Sequence, residues 1–218
     1  MDVRRPTAEA LSRYGRAQRA LELSGIALFL LLLGVNAVSL ELDRFLLPCA
    51  VLAWLAADLL SGVAHWVFDS FGRLDTPLVG PAFIRPFREH HADPHAMTRH
   101  DFVETNGSSC LACVPLLMAA LFMQEMPFSR TLVVFLCLGI LVTNQCHKWA
   151  HMDRVPRAVA FLQGLHLVLK AETHRRHHIA PFRSHYCTAS GWMNPLLDYV
   201  LLRARPGSYR RRAAGSAP

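Results

Sequence analysis

The apolar residues of this chain are bunched rather than spread. Four apolar runs stand out, at about 21–40, 45–68, 109–123 and 131–152, and a run of about 20 residues matches the hydrocarbon thickness of a bilayer. The pattern predicts an all-α integral membrane fold: four transmembrane helices, a histidine-rich cap on the cytoplasmic side, and interfacial amphipathic helices. Only Glu41, Leu42, Asp43 and Arg44 separate the first two runs, so an antiparallel hairpin is expected. The third run is brief for a crossing and is expected to start inside the polar segment before it or to tilt. Residues 157–178 interrupt their apolar positions with Gln163, His166 and Lys170, which reads as one helix lying in the interface. Residues 182–205 read as a turn and a short amphipathic helix. The division is a basic N-terminal segment (1–20), one membrane domain (21–204) and a basic, disordered tail (205–218).

The polar breaks in the pattern are as informative as the runs. Asp58, Gly62, His65 and Asp69 fall on one stripe of the second predicted helix. An unpaired carboxylate as deep as Asp58 would be costly, so it should face the bundle and a partner. Residues 70–109 form a polar insertion too long for a structureless loop, and helices of its own are expected there. Pro86 suits a first helical turn. Asp93-Pro94 reads as an N-cap followed by a first-position proline. That break bends the chain between His91 and His95, which would otherwise be an i, i+4 pair.

The formal net charge of +7 would suit nucleic acid in a soluble protein. Here the arginines flank apolar runs, so anionic lipid head groups are the better partner and no nucleic acid is expected. The N-terminus, the insertion and everything after Met152 hold nearly all Arg and Lys, which predicts both termini on the cytoplasmic side. The first run follows a basic stretch without a small-residue cleavage site and reads as a retained anchor. The six cysteines make no framework. Cys110 and Cys113 form a lone C-x-x-C at the start of an apolar run and read as core packing.

All twelve histidines avoid the two short turns and gather on the side where the insertion lies. The candidate metal ligands are His65, His90, His91, His95, His147, His151, His174, His177 and His178. His147 and His151 stand one helical turn apart, and His174, His177 and His178 repeat the arrangement, so imidazoles can converge on one ion. Nine imidazoles exceed the four ligands of a tetrahedral zinc and suit two five- or six-coordinate ions. Ligand type leaves iron, copper, nickel and zinc open. Asp69, Glu89, Asp93, Asp101 and Glu104 are expected to orient the rings through their second nitrogens, with Asp58 and Asn144 in the same surroundings. His100 and His185 are candidates for either role, and His166 reads as an ordinary interfacial histidine. Arg85, Arg88, Arg99 and Lys148 are candidates to hold a phosphate. The chain lacks H-E-x-x-H, G-x-S-x-G and a phosphate-binding glycine loop.

The segments GVAHWVFDSFG (62–72), FREHHADPHAMTRHDFVETNG (87–107), NQCHKWAHM (144–152) and HRRHHIAPFRSHYCTASGWMNPLLD (174–198) closely resemble the plasmanylethanolamine desaturase family, the Kua/CarF-type membrane lipid desaturases. The resemblance implies an integral-membrane enzyme with two histidine-ligated iron ions. Its implied reaction uses O2 and two electrons to convert the 1-O-alkyl chain of an ether phospholipid into the vinyl ether of a plasmalogen. The family's histidine motifs fall on the same nine positions. The implied partners are a phospholipid in the membrane and an external electron donor, cytochrome b5-like or ferredoxin-like.

Two other readings remain. An acyl-phospholipid desaturase or a hydroxylase would use the same iron centre, and a non-catalytic membrane protein would use the site to bind metal. A transporter would place ligands along a path through the bilayer, whereas here only Asp58 lies deep.

Overall fold

The structure, a computed structural model, describes residues 14–38, 40 and 44–203. The N-terminal segment up to residue 13, most of the first turn and the tail from residue 204 lie outside these. Four long helices dominate: α1 (Arg16–Val38), α2 (Leu46–Ser70), α5 (Phe102–Ala120) and α6 (Pro127–Ala150). Each is long and apolar enough to cross a membrane. The insertion folds into a π turn (Gly80–Ile84), α3 (Arg85–Ala92) and the single turn α4 (Ala96–Arg99). After α6 come α7 (Arg157–Gly164), α8 (Ala171–Arg175) and α9 (Asn194–Arg203). No strand occurs among the described residues.

The helix starts follow local chemistry. Asp101 caps α5 by accepting from the Glu104 N–H at 3.0 Å, which satisfies one of the free donors at a helix start. The third long helix therefore begins inside the polar segment, seven residues before the apolar run. Pro86 sits in the first turn of α3. The Asp93-Pro94 break ends α3, and Asp93 accepts from the His95 N–H at 3.1 Å just before α4.

Two expectations are corrected. The first two long helices do not form a packed hairpin. α1 lies along α5, α5 along α6, and α6 along α2, giving the row α1–α5–α6–α2. Small residues set two of these pairings. A Cβ on Gly107 of α5 would come within 2.4 Å of the Glu22 Cβ on α1, and one on Gly139 of α6 within 2.8 Å of the Ala57 Cβ on α2. Polar groups reinforce the first contact, because buried Glu22 accepts from Gln18 at 2.8 Å and from Ser108 of α5 at 3.1 Å.

The helix expected over 157–178 is also broken, into α7 and α8. His166 takes a left-handed backbone conformation (φ 60°) between them. Leu169 then gives its N–H to the Ala189 carbonyl at 2.8 Å, so a long-range bond replaces a helical one. The core of the row holds Phe29, Leu32, Leu117 and Val134 together with Cys110, Cys113 and Cys137. The C-x-x-C pair is thus packing, and all six cysteines are buried free thiols.

Candidate metal centre

Helix ends bring the histidines together. His65 stands near the C-terminal end of α2, His147 and His151 close α6, and α3 carries His90 and His91 across from them. α8 supplies His174, and the turn after it supplies His177 and His178. Eight rings form one continuous cluster, with centroids such as His65–His177 at 4.4 Å, His147–His174 at 4.4 Å and His90–His178 at 5.1 Å. His95 makes none of these ring contacts: it is exposed, on the far side of the Asp93-Pro94 break, yet near enough to His151 to help lower its pKa.

The ligand nitrogens sort into two groups that share one ring. His65, His90, His91 and His177 form the first, and His90, His147, His151 and His174 the second, with the nitrogens of each group within 4.8 Å of one another. His178 borders the second, its Nε2 3.1 Å from His174 Nε2. Asp69 belongs to the first alone. Its Oδ2 lies 2.8 Å from His91 Nε2 and 3.4 Å from the Nε2 of both His65 and His177.

Backbone carbonyls fix which nitrogen points inward. His65 Nδ1 faces the Tyr186 carbonyl at 3.0 Å and His177 Nδ1 faces the Ser184 carbonyl at 2.9 Å. A carbonyl oxygen has no proton to give, so both rings donate from Nδ1 and hold a bare lone pair on Nε2. His177 Nε2 then looks at His91 Nε2 across 3.0 Å, and His147 Nε2 at His174 Nε2 across 2.8 Å. Buried nitrogens of His65, His90, His151 and His174, and Asp69 Oδ1, have no hydrogen-bond partner. Orphaned buried polar atoms on this scale are costly in a native interior and fit a donor set that a pair of metal ions would satisfy.

The rings are also held in the protonation state that binds metal. Burial pushes His90 and His174 well below the ordinary imidazole range. Burial, with neighbouring imidazoles, lowers His151 to about 4 and His178 to about 3. Neutral imidazole is the ligand form.

The other predicted site residues take several places. Asp58 is fully buried but touches none of the rings. It accepts four backbone N–H groups from residues 189–193. Glu89 and Glu104 both pair with Arg85, at 2.8 and 2.7 Å, and approach His100 Nε2 at 3.5 and 3.6 Å. These two carboxylates and His100 form a third, smaller group beside the main cluster. Burial lowers His100 and raises Glu89, the latter against the pull of Arg85. Asp93 pairs with Arg99 at 2.6 Å and Asp101 with Arg19 at 2.7 Å, both on the surface. Asn144 donates to the Thr105 carbonyl and to Ser109 Oγ, both at 2.9 Å. His185 gives its backbone N–H to Asp198 at 3.1 Å.

The four candidate head-group cations all have partners inside the chain. Besides Arg85 and Arg99, Arg88 donates to the carbonyls of Phe68, Phe71 and Gly72 at the end of α2, and Lys148 donates to the His100 carbonyl. Sequence reasoning passed over Tyr186, whose ring packs on His65 and His177 at 5.6 and 4.7 Å. Backbone carbonyls leave no mark in a sequence. The H-Y motif at 185–186 held the one visible signal.

Beside the cluster lies a cavity of about 400 Å³. It is walled by α2, α5 and α6 and roofed by the π turn and α3. Ala57, Leu60, Ala64, Ala112 and Ile140 give it a mainly apolar lining, and His90 and His147 stand in its wall.

Comparison with known proteins agrees with this geometry. Residues 54–205 match the lipid desaturase domain family. Plasmanylethanolamine desaturase of Myxococcus xanthus is 41% identical over 216 residues, covering 91% of this chain and 74% of that protein. Plasmanylethanolamine desaturase 1 of Mus musculus is 47% identical over 157 residues, covering 67% of this chain and 58% of that protein. The chloroplastic fatty acid desaturase 4 of Arabidopsis thaliana is 36% identical over 150 residues, covering 66% of this chain and 45% of that protein. The chain thus spans under two thirds of the mouse and plant relatives. No solved structure gives a significant match. With the family matched over most of its length and its histidines gathered beside an apolar cavity, this chain belongs to the lipid desaturase family, a group of oxidoreductases.

Proposed function

We propose that the protein desaturates the 1-O-alkyl chain of a plasmanyl phospholipid, with the ethanolamine lipid as the first choice, to give the vinyl ether of a plasmalogen. The observation that carries this reading is the apolar cavity with His90 and His147 in its wall. A chain lying there passes both histidine groups, because His90 belongs to each. The balanced reaction takes one –O–CH2–CH2– unit, O2, two electrons and two protons to –O–CH=CH– and two waters.

The residues present fit two metal ions, and the family suggests iron. When bound, two irons supply the O2 activation that side-chain acids and bases cannot. The chain's own contribution is placement. The carbonyls of Tyr186 and Ser184 orient His65 and His177, Asp69 adds a negative charge to the first group, and the apolar wall seats the alkyl chain and excludes water. The protein comprises a membrane domain over 21–204, with the termini and the histidine cluster on the cytoplasmic side. Electrons come from a separate donor, cytochrome b5-like or ferredoxin-like.

The test is lipid analysis of cells that express the protein and are fed an alkylglycerol. Acid-labile vinyl ethers are expected, and their absence despite expressed, iron-loaded protein would overturn the reading. A second reading, desaturation of an acyl chain, is favoured by the likeness to the plant proteins named fatty acid desaturase. A new acyl double bond in the same extracts would establish it instead.

A further inference from the structure

Residues 184–193 run as an irregular, bent strap packed against α2 and leading into α9, and their backbone is divided by function. From Cys187 to Met193 every N–H is taken by a side chain. Asn194 Oδ1 accepts from Cys187 at 2.9 Å, and Ser61 Oγ accepts from Thr188 at 2.9 Å. Asp58 Oδ1 accepts from Ala189, Ser190 and Gly191 at 3.0, 2.8 and 3.0 Å, and Asp58 Oδ2 from Met193 at 2.9 Å. Ser190 Oγ accepts from Trp192 at 3.3 Å. The carbonyls of Ser184 and Tyr186 are taken instead by the rings of His177 and His65.

Asp58 is the centre of this fastening. It lies inside α2 at 0% exposure, where an ionised carboxylate is expensive unless donors surround it, and converging backbone N–H groups provide that. α2 approaches the strap so closely that a Cβ on Gly62 would come within 2.6 Å of Cys187 Sγ. The consequence for the rings is one-sided. Both histidines whose rings face strap carbonyls belong to the group beside Asp69, while His90 Nδ1 faces the Pro86 carbonyl of its own helix at 3.3 Å. Toward the second group the strap makes a backbone bond, Ala189 accepting from Leu169 ahead of α8 at 2.8 Å, and this bond holds no ring.

We propose that Asp58 is a positioning residue for one half of the centre, setting through the strap the ring orientation of His65 and His177 and turning no ring of the other half. This inference rests on the two-metal reading above. Asp58 touches neither metal nor lipid in this role. It acts on one metal site from about two helical turns away, through the backbone. An outer partner of a ligating histidine is worth about 10- to 100-fold in metal affinity.

The experiment is anaerobic titration of the purified, metal-free chain in detergent with Fe(II), and in parallel with Co(II), whose absorption reports each site. Wild type is expected to bind two ions. Asp58→Asn is expected to keep one at unchanged affinity and to weaken the other by about 10- to 100-fold. Gly62→Ala, which pushes the strap off α2 without removing charge, should show the same selectivity. Asn36→Ala, which removes a buried amide bonded to Leu32 and Leu117 within the α1–α5 contact, serves as the control for general destabilisation. It should lower the melting temperature while both sites keep their affinity. Equal affinities for Asp58→Asn and wild type would overturn the inference alone, as would equal weakening of both sites. Fewer than two ions on wild type would overturn the two-metal reading as well.

Discussion

The two histidine groups share one ring and differ in almost everything that surrounds it. The first, His65, His90, His91 and His177, includes the Asp69 carboxylate and takes orientation from a distant strap. The second, His90, His147, His151 and His174, has imidazoles alone in its grouping. Its order comes from helix α6, where His147 and His151 lie one turn apart, and from α8. A carboxylate stabilises higher positive charge than neutral imidazole does, so the two positions are chemically unequal before any substrate arrives. Unequal halves can bind metal with unequal strength and can be separated by mutation.

The largest expected effect falls on the shared ring. His90→Ala should cost both sites and reduce desaturation by at least about 100-fold, with metal content and product measured on the same preparation. Retention of two ions would break the assignment of His90 to both groups. Next come the two one-sided changes. Asp69→Asn should weaken metal binding about 10- to 100-fold in the first group only, and His151→Ala should do the same in the second. Identical spectra for the two one-ion proteins would dissolve the comparison.

Metal addition should then stabilise the chain as a whole. Fe(II) at about 100 times its dissociation constant contributes about 2.7 kcal/mol for each site that binds only the folded state. Wild type should therefore show a larger rise in melting temperature than either one-sided variant. The smallest effect is expected at His95. It is exposed and outside both groups, so His95→Ala should leave activity within about twofold, as surface changes commonly do. A large loss would place it back among the ligands.

How much of this was legible beforehand differs by element. The four long apolar helices could be read because runs of about 20 apolar residues match a bilayer's thickness, whatever the partners. The bend at Asp93-Pro94 could be read because proline chemistry is local, and it accounts for the separation of His91 from His95. The pairing of α1 with α5 could not be read. It depends on Gly107 meeting Glu22 across 85 residues of chain, a contact that no periodicity records. The placing of Asp58 was half legible. Its depth demanded a partner, but the four donors are backbone N–H groups, and every residue but proline has one.

By itself the sequence determined the membrane-length helices, the breaks between them, and a store of imidazoles restricted to one end of the bundle. These follow from hydrophobicity, proline and the composition of short segments, which act over a few residues. The tertiary structure alone decided the helix order, the division of the histidines into two groups sharing His90, and the carbonyls that turn His65 and His177 toward Asp69. Those depend on close approach between distant segments, where small residues and backbone polar groups set the geometry.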